Sequence, residues 1–211
     1  MKLTAESDVR SHYLLETEEV DYSHPLIMEK AEDLYLQSAN EVDFVRRTYS
    51  FVRDHISHSW DIQSSRVTCK ASEALLYKEG ICYAKSNLLS ALLRYKGIPT
   101  GFCYQRLTLG DTPDTGYCIH ALNAVYIQAM DRWVRLDARG NKAGVDAQFS
   151  MDSKKLAFPV REYYEEIDYP VIYVNPCPET IAVLKEQTDC LNMCLNHLPT
   201  HLKGAATFEA Q

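Results

Sequence analysis

Gly80-Ile81-Cys82-Tyr83-Ala84-Lys85 opens the stretch on which the reading of this chain turns. Leu88, Leu89, Ala91, Leu92, Leu93 and Tyr95 follow at helical spacing. Gly97 then supplies a C-terminal cap, and Pro99 stops any continuation. The pattern predicts a buried helix from about Cys82 to Tyr95, entered through a glycine. One cysteine is thereby placed at a helix N-terminus, where unpaired N–H groups and the positive end of the macrodipole face the sulfur. Both favour a thiolate, the nucleophilic form of the side chain. The plainer reading of Cys82 is a small core residue, since free cysteine is among the most buried types.

Past this helix the period changes to two. Phe102, Tyr104 and Arg106 alternate with Cys103, Gln105 and Leu107, which predicts a strand from Gly101. Asp111-Thr112-Pro113-Asp114-Thr115-Gly116 has the composition of a turn. Two further strand-like runs, Cys118–Ile127 and Arg132–Asp137, are joined by Gln128-Ala129-Met130-Asp131. A loop of that length opposes Tyr126 to Trp133, Val125 to Val134 and Leu122 to Asp137. His120 then shares a face with Asp137 on the diagonal, about 7–8 Å or less between Cβ atoms. A slip of one residue would separate the two onto opposite faces. A cysteine nucleophile needs a base within hydrogen-bond reach, and that base needs an orienting acceptor. Cys82, His120 and Asp137 supply all three. Taken singly, His120 could be a solvated strand histidine and Asp137 a strand-end turn former.

Upstream of the helix, residues 1–22 carry scattered charges and read as a poorly packed or edge-strand segment. Ser23 before Pro25 starts a helix to about Gln37, with Leu26, Ile27, Leu34 and Leu36 on its apolar side. Asn40, with Asp43 three residues on, caps a second helix to about His55, striped by Val42, Val45, Tyr49, Val52 and Ile56. His55 and His58 read as cations near its C-terminus rather than as a metal pair. Residues 59–70 form a loop entering the site, and Ser72–Leu76 a short helix ended by Gly80. Downstream, Leu156–Val160 suggests a further strand, held to an edge or bulge by Pro159. Val171–Val174 suggests another. Pro178-Glu179-Thr180 starts a last helix to about Asn196, and Gly204–Gln211 reads as frayed. Helices followed by strands give an α+β class.

The net charge of −7 argues against nucleic acid or an anionic membrane as the main partner. Met1–Ser11 holds no apolar targeting core, and no run approaches the roughly 18 apolar residues of a membrane span. The chain therefore reads as cytoplasmic, with its seven cysteines as free thiols. Cys190, Cys194, His197 and His201 mimic metal-ligand spacing. Pro199 breaks the helix before His201, however, and Leu191, Leu195 and Leu198 form a competing apolar stripe. Cys69, Cys103, Cys118 and Cys177 read as small apolar residues. The Asp and Glu positions lack calcium-loop spacing, so neither metal nor cofactor is expected.

The chain resembles the transglutaminase-like superfamily, in particular bacterial transglutaminase-domain proteins. The resemblance rests on Lys70-Ala71-Ser72-Glu73-Ala74-Leu75, Gly80-Ile81-Cys82-Tyr83, Ala91-Leu92-Leu93-Arg94-Tyr95-Lys96-Gly97-Ile98-Pro99, Gly116-Tyr117-Cys118-Ile119-His120-Ala121 and Trp133-Val134-Arg135-Leu136-Asp137, spread over about residues 45–140. It departs at Leu122, where the family often has an aromatic. It implies a papain-like fold, with the Cys-bearing helix packed on an antiparallel sheet carrying His and Asp. One domain over 1–211 follows: a helical part to about 58, a catalytic core over about 59–160 and a C-terminal extension. The implied chemistry is acyl transfer on a protein, peptide or other amide substrate through a thioacyl-enzyme. Cys82 would be nucleophile, His120 base and Asp137 orienter. The Cys82 N–H and a second donor, Gln63 or Trp60, would hold the oxyanion. The rival readings are a cysteine peptidase and a non-catalytic scaffold that keeps the fold.

Overall fold

The structure, a computed structural model, describes residues 2–203; the end segment Gly204–Gln211, expected to fray, lies outside them. The chain runs from strand β1 (Thr4–Ala5) through helices α1 (Pro25–Leu36) and α2 (Glu41–His55) to strand β2 (Ser57–His58). Helix α3 (Ala71–Tyr77), strand β3 (Glu79–Gly80) and helix α4 (Cys82–Tyr95) come next. Strands β4 (Thr100–Thr108), β5 (Tyr117–Ile127), β6 (Arg132–Leu136), β7 (Ile167–Asp168) and β8 (Val171–Ile172) follow, then helices α5 (Pro178–Glu186) and α6 (Cys190–Asn196).

Helix α4 is the axis of the fold. Every residue from Cys82 to Arg94 is buried, including the polar Lys85, Ser86, Asn87, Ser90 and Arg94. It ends at Gly97, whose positive φ of 76° lets its N–H bond back to the Arg94 carbonyl at 2.9 Å. Gly80, just before it, is needed for space. A Cβ there would meet Thr68 Oγ1 at 2.9 Å and the Ala84 Cβ at 3.0 Å. Helix α2 begins as its sequence dictates, with the Asn40 side chain accepting from the Asp43 N–H at 3.0 Å.

Strands β6, β5, β4 and β7 form one antiparallel sheet in that order. Its β5–β6 register pairs Tyr126 with Trp133 and Val125 with Val134, and the two aromatic rings meet edge-on at 5.4 Å. Ile119, Ala121, Val125 and Ile127 share one core with Leu88, Leu89 and Leu92 of α4. Leu122, Ala124 and Cys103 pack in a second core with Tyr13 and Ile172.

Three segments differ from the sequence reading, and at a fourth the structure decides between its two alternatives. The N-terminal segment forms a short edge strand, β1, paired parallel with β8, and is not poorly packed. Tyr13 is fully buried, and its hydroxyl donates to the Ile172 carbonyl at 3.1 Å. Helix α3 stops at Lys78, which takes a left-handed φ of 55°, so Gly80 is free to enter β3. Leu156–Val160 is not a strand, because the Ala157 N–H is spent on a carboxylate and Pro159 has none to give. The expected last helix is two helices. Asp189 starts the second by accepting from the Asn192 N–H at 2.8 Å, and the Cys190 N–H turns to the Ser65 carbonyl at 2.8 Å.

Arg94 ties these parts together. Buried near the end of α4, it donates to the carbonyls of Leu15 (2.6 Å), Thr100 (2.7 and 3.0 Å) and Val174 (2.6 Å). Burial without a carboxylate partner pushes its pKa down to about 10. One side chain thus joins the N-terminal segment, the sheet and the strand region before α5. Replacing it with leucine leaves the Leu15, Thr100 and Val174 carbonyls without a charged donor. Arg94→Leu is expected to cost about 3 kcal/mol or more, read as a lower urea midpoint at unchanged slope.

Candidate active site

The N-terminus of α4 and the start of β5 open onto one cavity of about 850 Å³, lined by Cys82 and His120 together with His58, Trp60, Arg139 and Phe158. Cys82 is the first residue of α4, so its backbone N–H is among those the helix leaves without an internal partner.

His120 and Asp137 meet as the hairpin register requires. The ladder closes at Asn123–Leu136, and one step beyond it the His120 Nε2 bonds the Asp137 Oδ2 at 2.8 Å. Asp137 is fully buried, and a buried carboxylate must be saturated with donors. The backbone N–H groups of Arg139 (3.2 Å) and Ala157 (3.0 Å) complete that set. Burial would raise its pKa, but His120 and the two backbone donors hold the carboxyl below its usual range. Burial likewise opposes charge on the imidazole. Asp137 and the neighbouring Cys82 sulfur outweigh it and push His120 up to about 10. With Nε2 committed to Asp137, Nδ1 is the nitrogen left for Cys82. Phe158 packs edge-on to the imidazole at 5.2 Å and limits its rotation.

A second layer holds this arrangement. Arg139, nearly buried, pairs bidentately with Asp61 at 2.5 and 2.8 Å, and Lys142 joins Asp61 at 2.7 Å. Burial disfavours the Asp61 charge, yet these donors bring its pKa to about 2. The loop carrying Trp60 is thereby clamped to the chain just past Asp137. Lys85, one turn beyond Cys82, is buried and donates to the carbonyls of Ile56 and Arg53. Desolvation, reinforced by Arg139, pushes Lys85 down to about 7.

Of the two residues the sequence offered as a second oxyanion donor, Trp60 lines the cavity. The Gln63 amide is turned to the Trp60 carbonyl at 2.6 Å, and its side chain is exposed. His58 corrects the reading that paired it with His55 at a helix end. His55 is exposed and stacks on Phe51 at 5.6 Å, whereas His58 lies in β2 and lines the cavity. Burial, with Arg139 second, holds His58 well below the ordinary imidazole range, so it is neutral. Sequence reasoning missed His58, Arg139 and Phe158 as site residues. Lys85 left a signal, a lysine inside an otherwise buried helix. The others left none. Cys190 and Cys194 sit on α6 with their sulfurs 4.0 Å apart, while His197 and His201 fall beyond its end. No group of three or more His, Cys, Asp or Glu converges as a metal site among the described residues.

The model of the transglutaminase-like superfamily matches residues 29–138. Among solved structures, a candidate cysteine protease from Cytophaga hutchinsonii is similar at 17% identity and a TM-score of 0.51, over 63% of this chain and 43% of that one. The periplasmic domain of TgpA from Pseudomonas aeruginosa is similar at 15% identity and a TM-score of 0.46, over 61% of this chain and 46% of that one. The crystal structure of a TGase is similar at 17% identity and a TM-score of 0.41, over 78% of this chain and 45% of that one. The chain spans less than half the length of each. No curated protein matches it.

The other six thiols of the chain provide an internal control. Burial pushes Cys69, Cys103, Cys118 and Cys177 up to about 12, and Cys194 is raised by its hydrogen bond with Cys190 and by burial. Cys190 is lowered by that same hydrogen bond but is almost inaccessible. Iodoacetamide at neutral pH is expected to label Cys82 first, by mass-spectrometric mapping. Labelling of Cys190 or Cys103 at an equal rate would contradict this.

Proposed function

The chain belongs to the transglutaminase-like superfamily, and from that premise we propose that it is a cysteine-dependent acyl-transfer enzyme acting on an amide or peptide carbonyl. The observation that carries the proposal is the buried His120–Asp137 hydrogen bond of 2.8 Å beside a cysteine at a helix N-terminus. The Cys82 thiolate attacks the carbonyl carbon, a C–S bond forms, and the carbonyl electrons move onto oxygen. The Cys82 N–H, at the positive end of α4, donates to that oxyanion. As the intermediate collapses, His120 gives its proton to the departing amine, leaving a thioester on Cys82. His120 next takes a proton from water or an amine acceptor. The acid or new amide leaves, and the thiolate–imidazolium pair returns. With water as acceptor and a peptide as donor, the same steps make a cysteine peptidase.

The substrate under this reading is a protein, peptide or other amide that reaches the 850 Å³ cavity. Seven unpaired cysteines support a reducing, cytoplasmic setting. A scaffold that kept the fold without turnover would have no need of a saturated Asp137. Acylation of Cys82 by p-nitrophenyl acetate, followed by release to water or to a fluorescent primary amine, tests the proposal. His120→Ala is expected to slow acylation by about 10²- to 10⁴-fold with the fold retained by circular dichroism. Unchanged acylation in that variant would exclude His120 as the base.

Asp137 raises the His120 pKa, so the protonated imidazole persists across neutral pH and is lost only as pH rises toward about 10. Without the carboxylate charge that loss comes earlier. In Asp137→Asn the alkaline limb of the acylation profile is expected to move to lower pH. A limb at the same pH in wild type and variant would show that Asp137 is not coupled to the imidazole.

A further inference from the structure

His58 is the one cavity-lining imidazole that the mechanism above does not use. Strand β2 aligns it with Gly80, two residues before Cys82. The Ser59 N–H bond to the Gly80 carbonyl, 3.3 Å, extends the pairing. Its position relative to the α4 N-terminus is therefore set by backbone pairing.

The two ring nitrogens differ. Nδ1 is enclosed and has no hydrogen-bond partner. Among the described residues the ring makes no side-chain hydrogen bond, and Nε2 does not share the enclosure of Nδ1; since His58 lines the cavity, Nε2 is the nitrogen left to face it. An enclosed nitrogen without an acceptor is tolerated better as a lone pair than as an orphaned N–H. The proton therefore belongs on Nε2, directed at the cavity. Four charged or titratable groups face the ring: Arg139, Lys85, Asp61 and His120. Three of them are cationic or become so during the reaction, and they keep His58 neutral. A neutral imidazole here has one donor and, among the described residues, no acceptor bonded to it.

We infer that His58 is a further catalytic residue, whose Nε2–H donates to the substrate carbonyl oxygen as it becomes an oxyanion, opposite the Cys82 backbone N–H. This rests on the acyl-transfer reading of the site. Gln63 is spent on the Trp60 carbonyl. Trp60 lies on the turn beyond β2 and closes the cavity wall. The role is electrostatic and needs no change in the protonation of His58 itself.

The test compares two reagents at Cys82. p-Nitrophenyl acetate reacts through an oxyanion, whereas iodoacetamide reacts by displacement at a saturated carbon and forms none. His58→Phe keeps a flat ring without the donor, and His58→Gln keeps an amide donor. Phe is expected to slow acylation by about 10²- to 10³-fold while leaving the iodoacetamide rate near wild type. Gln is expected to recover most of the loss, and the ratio of the two rates is expected to stay flat with pH. Equal slowing of both reagents would mean that His58 only holds Cys82 in place, and would overturn the inference. So would normal acylation in the Phe variant, or a loss seen in Trp60→Phe instead. Failure of wild type to acylate at Cys82 would sink the acyl-transfer reading itself, which the variant ratios do not address.

Discussion

A single carboxylate in the interior constrains much of this molecule. Asp137 is wholly buried, and the cost of removing that charge from water is several kcal/mol unless donors replace the water. Its three donors come from separate parts of the chain: the His120 imidazole, the Arg139 N–H and the Ala157 N–H. Each imposes a demand. The first requires the β5–β6 register, since a slip by one residue would turn His120 away. The second requires the chain to fold back just after β6. The third pulls residues 156–158 out of any ladder and lays Phe158 against the imidazole. Satisfying one charge thus orders the His120 imidazole, the Asp137 carboxylate and the wall beside them.

Helix α4 plays the complementary part. It is buried along nearly its whole length, yet carries two cations, Lys85 and Arg94, paired with no carboxylate. Both instead hold backbone carbonyls of neighbouring segments. Lys85 gathers the end of α2, and Arg94 gathers Leu15, Thr100 and Val174. The arrangement fixes the helix at both ends, and it leaves only the N-terminal turn, with Cys82, open to the cavity. Cys82 is thereby placed rigidly, on a packed element; under the proposed acyl transfer, that placement suits a barrier that depends on orientation.

The charges around the cavity are balanced rather than neutral. Asp61 is shared by Arg139 and Lys142, so the loop before α3 is bound to the turn after β6 across 78 residues of sequence. The surroundings also decide which histidine can carry charge. His120, beside Asp137, gains a proton readily; His58, held down first by burial and then by Arg139, does not. Two imidazoles in one cavity are pushed in opposite directions by their surroundings.

What the sequence determined by itself was local or periodic. The α4 boundaries followed from apolar spacing, Gly97 and Pro99, and the start of α2 from Asn40 and Asp43. The β5–β6 register followed from a four-residue connection and the Tyr126–Trp133 pair, and with it came the approach of His120 to Asp137. These features depend on residues a few positions apart, or on one hairpin, so their signal survives in the order of amino acids. Tertiary structure alone decided the rest. The continuous apolar spacing of residues 178–196 concealed a break that appears because Asp189 caps a new helix and Cys190 turns to Ser65. The strand-like Leu156–Val160 gave its amide to Asp137 instead of a neighbour. His58, read as a helix-end cation, became a cavity-lining neutral ring because β2 pairs with β3, two residues before Cys82. In each case the deciding partner lies far along the chain, and a buried polar group takes whichever partner the packed fold brings within reach, which no period or motif encodes.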